Sequence, residues 1–173
     1  MTAYGDQPFG LRDIKIVPAT GGAIDLPAAQ TLKLTPRIKG GELPGDDMVK
    51  AVAAYIEAYE WDLEAGGISL EAHAALTGQT MTTSGTTPTA YKTLKHSAGN
   101  EMPYVKLYGK ALGVGTDDIH AKLYKAKCTK MEGSLKGGEF YVTAASGVAV
   151  DDGLGNGIVD WVQHETAADL PAA

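Results

Sequence analysis

Between residues 49 and 65 the chain alternates with a period of two. One parity, Val49, Ala51, Ala53, Tyr55, Glu57, Tyr59, Trp61, Leu63 and Ala65, is apolar apart from Glu57. The other turns acidic toward its end, at Glu60, Asp62 and Glu64. A strand with one buried and one wet face repeats in this way, because successive side chains leave opposite sides of the backbone. The run is long, since ordinary strands span about 5 to 6 residues. AVAAYIEA is rich in good helix formers and offers a helix as the rival reading. The continuation YEWDLE has no helical stripe, which favours the strand. Gly66-Gly67 ends the alternation. Ser69 and Gly78 then bracket a short helix as N-cap and C-terminal glycine, with Ile68, Leu70, Ala74 and Leu76 expected against a sheet.

The same period recurs along the chain. Residues 10–17 set Ile14 and Ile16 against Asp13 and Lys15. Residues 31–39 set Leu32, Leu34 and Ile38 against Lys33, Thr35, Arg37 and Lys39. Pro36 cannot donate to a ladder, so that strand belongs at a sheet edge or carries a bulge there. Between these strands and the long one lies GGELPGDD, residues 40–47, read most simply as a floppy hairpin tip and alternatively as the loop of a long hairpin that projects from the body as an arm for a neighbouring subunit. Residues 79–102 are rich in Thr, Ser and Gly and read as a strand followed by a loop. Further strands are expected at 103–112, at 118–131, at 140–150 with Phe140, Val142, Ala144, Val148 and Val150 on one parity, and at 158–164. About seven or eight strands and one short flanking helix predict a mainly β, antiparallel sandwich or split barrel. The expected organisation is one domain over residues 1–173, with an N-terminal arm (1–9), the hairpin loop (39–48) and a loose C-terminal tail (166–173).

Composition narrows the function classes. At 173 residues, 44 % hydrophobic and 21 % charged, the chain has the makings of one folded domain rather than a disordered segment. A formal charge of −6 argues against nucleic-acid binding through a general basic surface. The lone cysteine, Cys128, excludes an intrachain disulfide and a cysteine-cluster metal site, and suits a reducing compartment. No secretory h-region is expected in MTAYGDQPFGLRD, and no apolar run approaches the roughly 20 residues of a membrane span.

Chemistry is sparse. The stretch 151–160 offers Asp151, Asp152, Asn156 and Asp160, a set of oxygens with the composition of a calcium loop. Its spacing does not match an EF-hand, and Asn156-Gly157 is an ordinary turn signal, so a turn is expected. His73, His96, His120 and His164 form no zinc-binding pair by spacing, and no nucleophile elbow is present. The expectation is therefore no catalytic residue, no cofactor and no metal. The most suggestive constellation is Glu60, Asp62 and Glu64, either a solvated strand face or a surface that repels polyanions.

Several stretches resemble the major tail tube protein of long-tailed, non-contractile bacteriophages. They are GLRDIKIVP, DLPAAQTLKL, GDDMVKAVAAYIEAYEWDLEAGGISLEAHAALTG and, at the end, GEFYVTAASGVAVDDGLGNGIVDWVQHETA. The resemblance extends over about three quarters of the chain, residues 79–102 fitting least well. The resemblance implies a two-sheet β fold with a flanking helix. It also implies hexameric rings stacked into a hollow tube, through which DNA passes without specific binding. The implied partners are other copies of the chain and the tape-measure, tail-tip and tail-terminator proteins, with no membrane. The implied location is the virion tail, assembled in the bacterial cytoplasm.

Gly40, Gly41, Glu42, Leu43, Pro44, Gly45, Asp46 and Asp47 match the family's hairpin loop, which contacts the adjacent ring. Glu60, Asp62 and Glu64 would then face the lumen, where basic groups would bind phosphate and hold the DNA back. The alternatives are the inner tube of a contractile tail or secretion machine, and a carbohydrate-binding β-sandwich using Tyr55, Tyr59 and Trp61.

Overall fold

The computed structural model describes residues 8–171, apart from 27, 46–47, 68, 114–116 and 139–141. Its elements run β1 (Pro8–Pro18), β2 (Ile24–Asp25), β3 (Ala29–Gly45), β4 (Met48–Gly66), α1 (Leu70–Thr77), β5 (Met81–Ser84), β6 (Tyr91–Leu94), β7 (Tyr104–Gly113), β8 (Asp118–Ser134), β9 (Val142–Ala149) and β10 (Val159–His164). The main sheet has the order β2-β1-β7-β8-β9-β4-β3, with β10 also on β8. Every pairing in it is antiparallel. The mainly β class with one short helix is therefore observed, and its curled sheet is consistent with a sandwich. No helix is long and apolar enough to cross a membrane among the described residues.

The 17-residue β8 joins the two layers. One edge holds β7. Along the other, β10 occupies residues 118–123 and β9 occupies 126–134. β9 and β10 are in effect one strand with an excursion: Val150 N still donates to Lys125 O at 3.0 Å, and Val159 rejoins opposite Leu123. Within the excursion, Asp151 Oδ1 accepts from Gly153 N (2.7 Å) and Asp152 Oδ1 from Leu154 N (2.8 Å). Asp152 Oδ2 accepts from Asn156 Nδ2 at 2.7 Å. The Asp-rich stretch is thus a turn that uses two of its carboxylates to hold its own loop. The strands it joins do not form a hairpin with each other, since both pair with β8.

The core packs Trp61 and Leu63 of β4 against Ile14 and Ile16 of β1, Leu107 of β7 and Leu123 of β8. Two glycines make the close approaches possible. A Cβ on Gly109 would lie 2.5 Å from Leu32 Cδ2, and one on Gly147 would lie 2.0 Å from Lys127 O and 2.8 Å from Trp61 Cζ2. This explains a reversal in β9. Its core side is Thr143, Ala145, Gly147 and Ala149, whereas the bulkier parity of Val142, Ala144 and Val148 is half-buried. Small residues are needed where the indole already fills the space. Phe140 lies outside the described residues.

The helix is capped as expected. Ser69 Oγ accepts from Ala72 N at 3.2 Å, and Gly78 takes φ 69° with its N–H on Ala74 O. Its buried face is Ala72 and Leu76, four residues apart as a helix requires, while Leu70 is 40 % exposed. The expected stripe is corrected accordingly, and Ile68 lies outside the described residues. Residues 79–102 hold a second, two-stranded sheet, β5–β6, where one strand and a loop were expected. Pro36 does lie on an edge strand, β3.

Gly147→Val tests the packing. The new side chain has backbone on one side and the Trp61 ring on the other, so we expect destabilisation at or above the top of the about 1–3 kcal/mol range for overpacking. Urea unfolding measures it, and an unchanged midpoint would contradict the packing described.

Candidate assembly surface

The expected loop at 39–48 is largely strand. Residues 39–45 of β3 pair with β4 as far as Gly45 opposite Met48, and only Asp46 and Asp47 lie outside the described residues. Gly40 and Gly41 do not break the ladder. Gly40 instead fits where a Cβ would come 2.8 Å from Ala53 O. The result is a long two-stranded ribbon. β9 covers β4 only from Tyr59 to Gly66, so residues 48–58 have β3 on one edge and no other strand among the described residues.

A bulge at the base of this ribbon decides which side chains face which way. Arg37 is opposite Ala58 but Ile38 is opposite Ile56, which makes Glu57 an extra residue on β4. One inserted residue exchanges the two faces of a strand. On the uninterrupted β3, Leu32, Leu34 and Ile38 share a face, so their partners Leu63, Trp61 and Ile56 share it too. Ala54 and Val52, opposite Gly40 and Glu42, extend the same face. The core face of the body thus continues outward as Ile38, Ile56, Ala54 and Val52. Among the described residues nothing covers it: Ile38 is 62 %, Val52 69 % and Ile56 48 % exposed. Tyr55, opposite Lys39, is moved to the other face and is 60 % exposed. The expected apolar parity through Val49–Ala65 is therefore corrected at Glu57.

Glu60, Asp62 and Glu64 lie on the outer, exposed face of β4. They are not a bare acidic row. Across β3 they meet Thr35, Lys33 and Thr31, and Arg37 Nη2 contacts Glu60 Oε1 at 2.7 Å. Lys39 reaches Glu57 at 3.7 Å. On the far side β9 presents only Val148, Ser146 and Ala144, and beyond it on β8 come Lys127, Lys130 and Glu132. Lys130 pairs with Glu132 and Lys127 with Glu101, each at 2.7 Å. Surface pairs of this kind contribute about 0–1 kcal/mol each. Their effect is to interleave the charge rather than to hold the fold.

Trp61 is fully buried and Tyr55 is on the opposite face, so the three aromatics form no common platform for a sugar ring. Cys128 is buried, and burial raises its thiol above the usual range. The hydroxyl of Tyr124 donates to Asp160 Oδ2 at 2.6 Å, and that bond, with burial behind it, pushes its pKa up to about 12.

The C-terminal segment departs from expectation. Residues 166–171 dock on the outer face of β7 and β8 rather than hanging loose. Leu170 is 3 % exposed against Val17 and Tyr108, Ala168 N donates to Asp118 Oδ2 at 2.7 Å, and Lys110 Nζ donates to Ala168 O. Asp118 is fully buried. Burial works against its ionisation, but the Ala168 amide, Lys110 and His120 together outweigh that and keep its pKa below the ordinary value. Residues 172–173, and residues 1–7 of the expected arm, lie outside the described residues, and Pro8 and Phe9 already belong to β1.

No family model matches this chain, and neither does any curated protein.

Two expectations follow. Glu60→Gln, Asp62→Gln and Glu64→Gln together should change unfolding free energy by no more than about 1 kcal/mol, as solvated charges do. A larger loss in denaturant unfolding would make the row structural. Deleting residues 166–173 should instead cost about 2–4 kcal/mol, from the loss of the buried Leu170 contact with Val17 and Tyr108 and of the Ala168 amide that partners the buried Asp118 carboxylate. An unchanged denaturation curve would show that the tail contributes nothing.

Proposed function

We propose that the chain is a structural subunit that polymerises into a hollow tail tube of the long-tailed, non-contractile phage type. It would do so as stacked hexameric rings through which DNA passes. The carrying observation is the β3–β4 ribbon, an extension of the core face with no covering layer among the described residues. Fully burying a Val or Ile side chain is worth about 1.5–3 kcal/mol, so a ribbon left in water forgoes several such gains. A second copy of the chain is the fitting cover, because the ribbon's open edges and apolar face have the hydrogen-bonding and side-chain character of this protein's own sheets. In the stacked arrangement the ribbon, including Gly40 to Asp47, reaches the neighbouring ring.

The outer face of β4 suits the bore. Lys33, Arg37 and Lys130 each stand opposite or bonded to a carboxylate. Glu60, Asp62 and Glu64 would then keep phosphate from adhering, since unneutralised lysines and arginines would bind it through counterion release. A ring of six chains carries a formal −36, six times −6. Tape-measure, tail-tip and terminator proteins would be the further partners, and the virion tail the location. No chemistry is required of the subunit.

Electron microscopy of the concentrated protein tests the proposal. We expect six-fold rings or hollow tubes for the natural chain. Ile38→Asp with Ile56→Asp should give only monomers by light scattering, with the far-UV spectrum unchanged. Compact monomers from the natural chain at every concentration, or tubes from the variant, would sink it.

A further inference from the structure

A group of polar side chains lies beneath the docked C-terminal segment, and the tube proposal makes no use of it. Asp118 and His120 alternate onto one face of β8, and His164 of β10 stands directly opposite Asp118 in the ladder. Forty-four positions separate His120 from His164 in the chain, and only this register brings them together. The imidazole centroids are 4.5 Å apart with planes inclined at 53°. One potential ligand atom from each of the three residues lies within 4.8 Å of the others.

Their hydrogen bonding is incomplete. Asp118 is 0 % and His120 1 % exposed, yet Asp118 Oδ1, both ring nitrogens of His120 and Nε2 of His164 have no hydrogen-bond partner among the described residues. His120 Nε2 is 3.3 Å from Asp118 Oδ2 but out of line for a hydrogen bond. Buried polar atoms are ordinarily satisfied, and two imidazoles beside a carboxylate form a set that a borderline divalent cation satisfies at once.

We propose that Asp118, His120 and His164 form a binding site for a divalent transition-metal ion of the zinc type. The three ligand atoms lie within 4.8 Å of one another, against a roughly 3.4 Å ligand–ligand edge in a tetrahedral zinc site, so small side-chain rotations would complete the set. Asp118 Oδ2 is held by Ala168 N and by Lys110, 3.3 Å away, which leaves Oδ1 for the ion. The bound ion would tie β8 to β10 immediately under the segment that Ala168 and Leu170 anchor. Lys110 opposes it, since its ammonium adds like charge to the site. The sign of that effect distinguishes this site from the half-buried His73 and the exposed His96.

The test uses the full untagged chain, stripped with chelator and titrated with Co²⁺, then with Zn²⁺ in competition. One equivalent of Co²⁺ should give visible absorption of a low-symmetry four- or five-coordinate site, and Zn²⁺ should displace it. His164→Gln, at the partly exposed end of β10, and His120→Gln should each weaken binding at least tenfold. Lys110→Met should tighten it, and His73→Gln with His96→Gln should leave it unchanged. X-ray absorption of the zinc-loaded natural chain should count two imidazoles, and decides the matter if a core variant does not fold. No binding at one equivalent, an ion without imidazole ligands, or a signal lost with His73 and His96 overturns the proposal. A water in place of the ion would appear as the first of these.

Discussion

Trp61 sits fully buried with its ring edge over the backbone of Gly147, and the placement of β4 depends on that contact. The indole is the largest buried side chain, and its opposite wall is a strand whose core-side residues are Thr, Ala and Gly. A flat, small-residue strand next to a large aromatic leaves one depth at which β4 can lie. That depth brings Leu32 of the paired β3 down onto Gly109 of the other layer. The same strand must then leave the body as half of a ribbon. The Glu57 bulge sits at that exit and puts Ile56 and Val52, not Tyr55, on the continuation of the core face.

The long β8 is the second organising element. It gives one edge to β7 and divides the other between β10 and β9, so its first half belongs to one layer and its second half to the other. Sharing a strand in this way leaves the outer face of the β7–β8–β10 layer in need of cover. The C-terminal segment supplies it with one apolar anchor, Leu170, and backbone bonds to Asp118 and Lys110. The polar residues buried there are consequences of this arrangement. A strand face that would otherwise be wet has been roofed by a short piece of chain.

Much of the fold is legible in the sequence because it follows from local rules. Alternation finds the strands, Ser69 and Gly78 mark the helix, Pro36 marks an edge, and Asn156-Gly157 marks a turn. The departures are places where a neighbour decides. In β9, hydrophobicity points to Val142 and Val148, but the Trp61 ring reserves the core side for Ala145 and Gly147. At Glu57 a lone charge in an apolar parity is the trace of a bulge, and without the partner strand it reads as an exception. Leu170 is one apolar residue in a polar tail, too little pattern to predict docking. His120 and His164 are too far apart in the chain for any spacing rule. The acidic row at Glu60, Asp62 and Glu64 is visible from sequence, whereas its interleaving with Lys33, Arg37 and Lys130 needs the register of four strands.

The central claim is that the ribbon is an unfinished piece of core, completed by another copy of the chain. Hydrogen exchange followed against protein concentration tests it most directly. The account predicts that amides in residues 38–45 and 48–56 exchange faster than those in 59–66 when the chain is dilute, and gain protection as it is concentrated. The 59–66 amides should keep their rates throughout. Equal protection of the ribbon at all concentrations would contradict the account, because the ribbon would then be complete on its own.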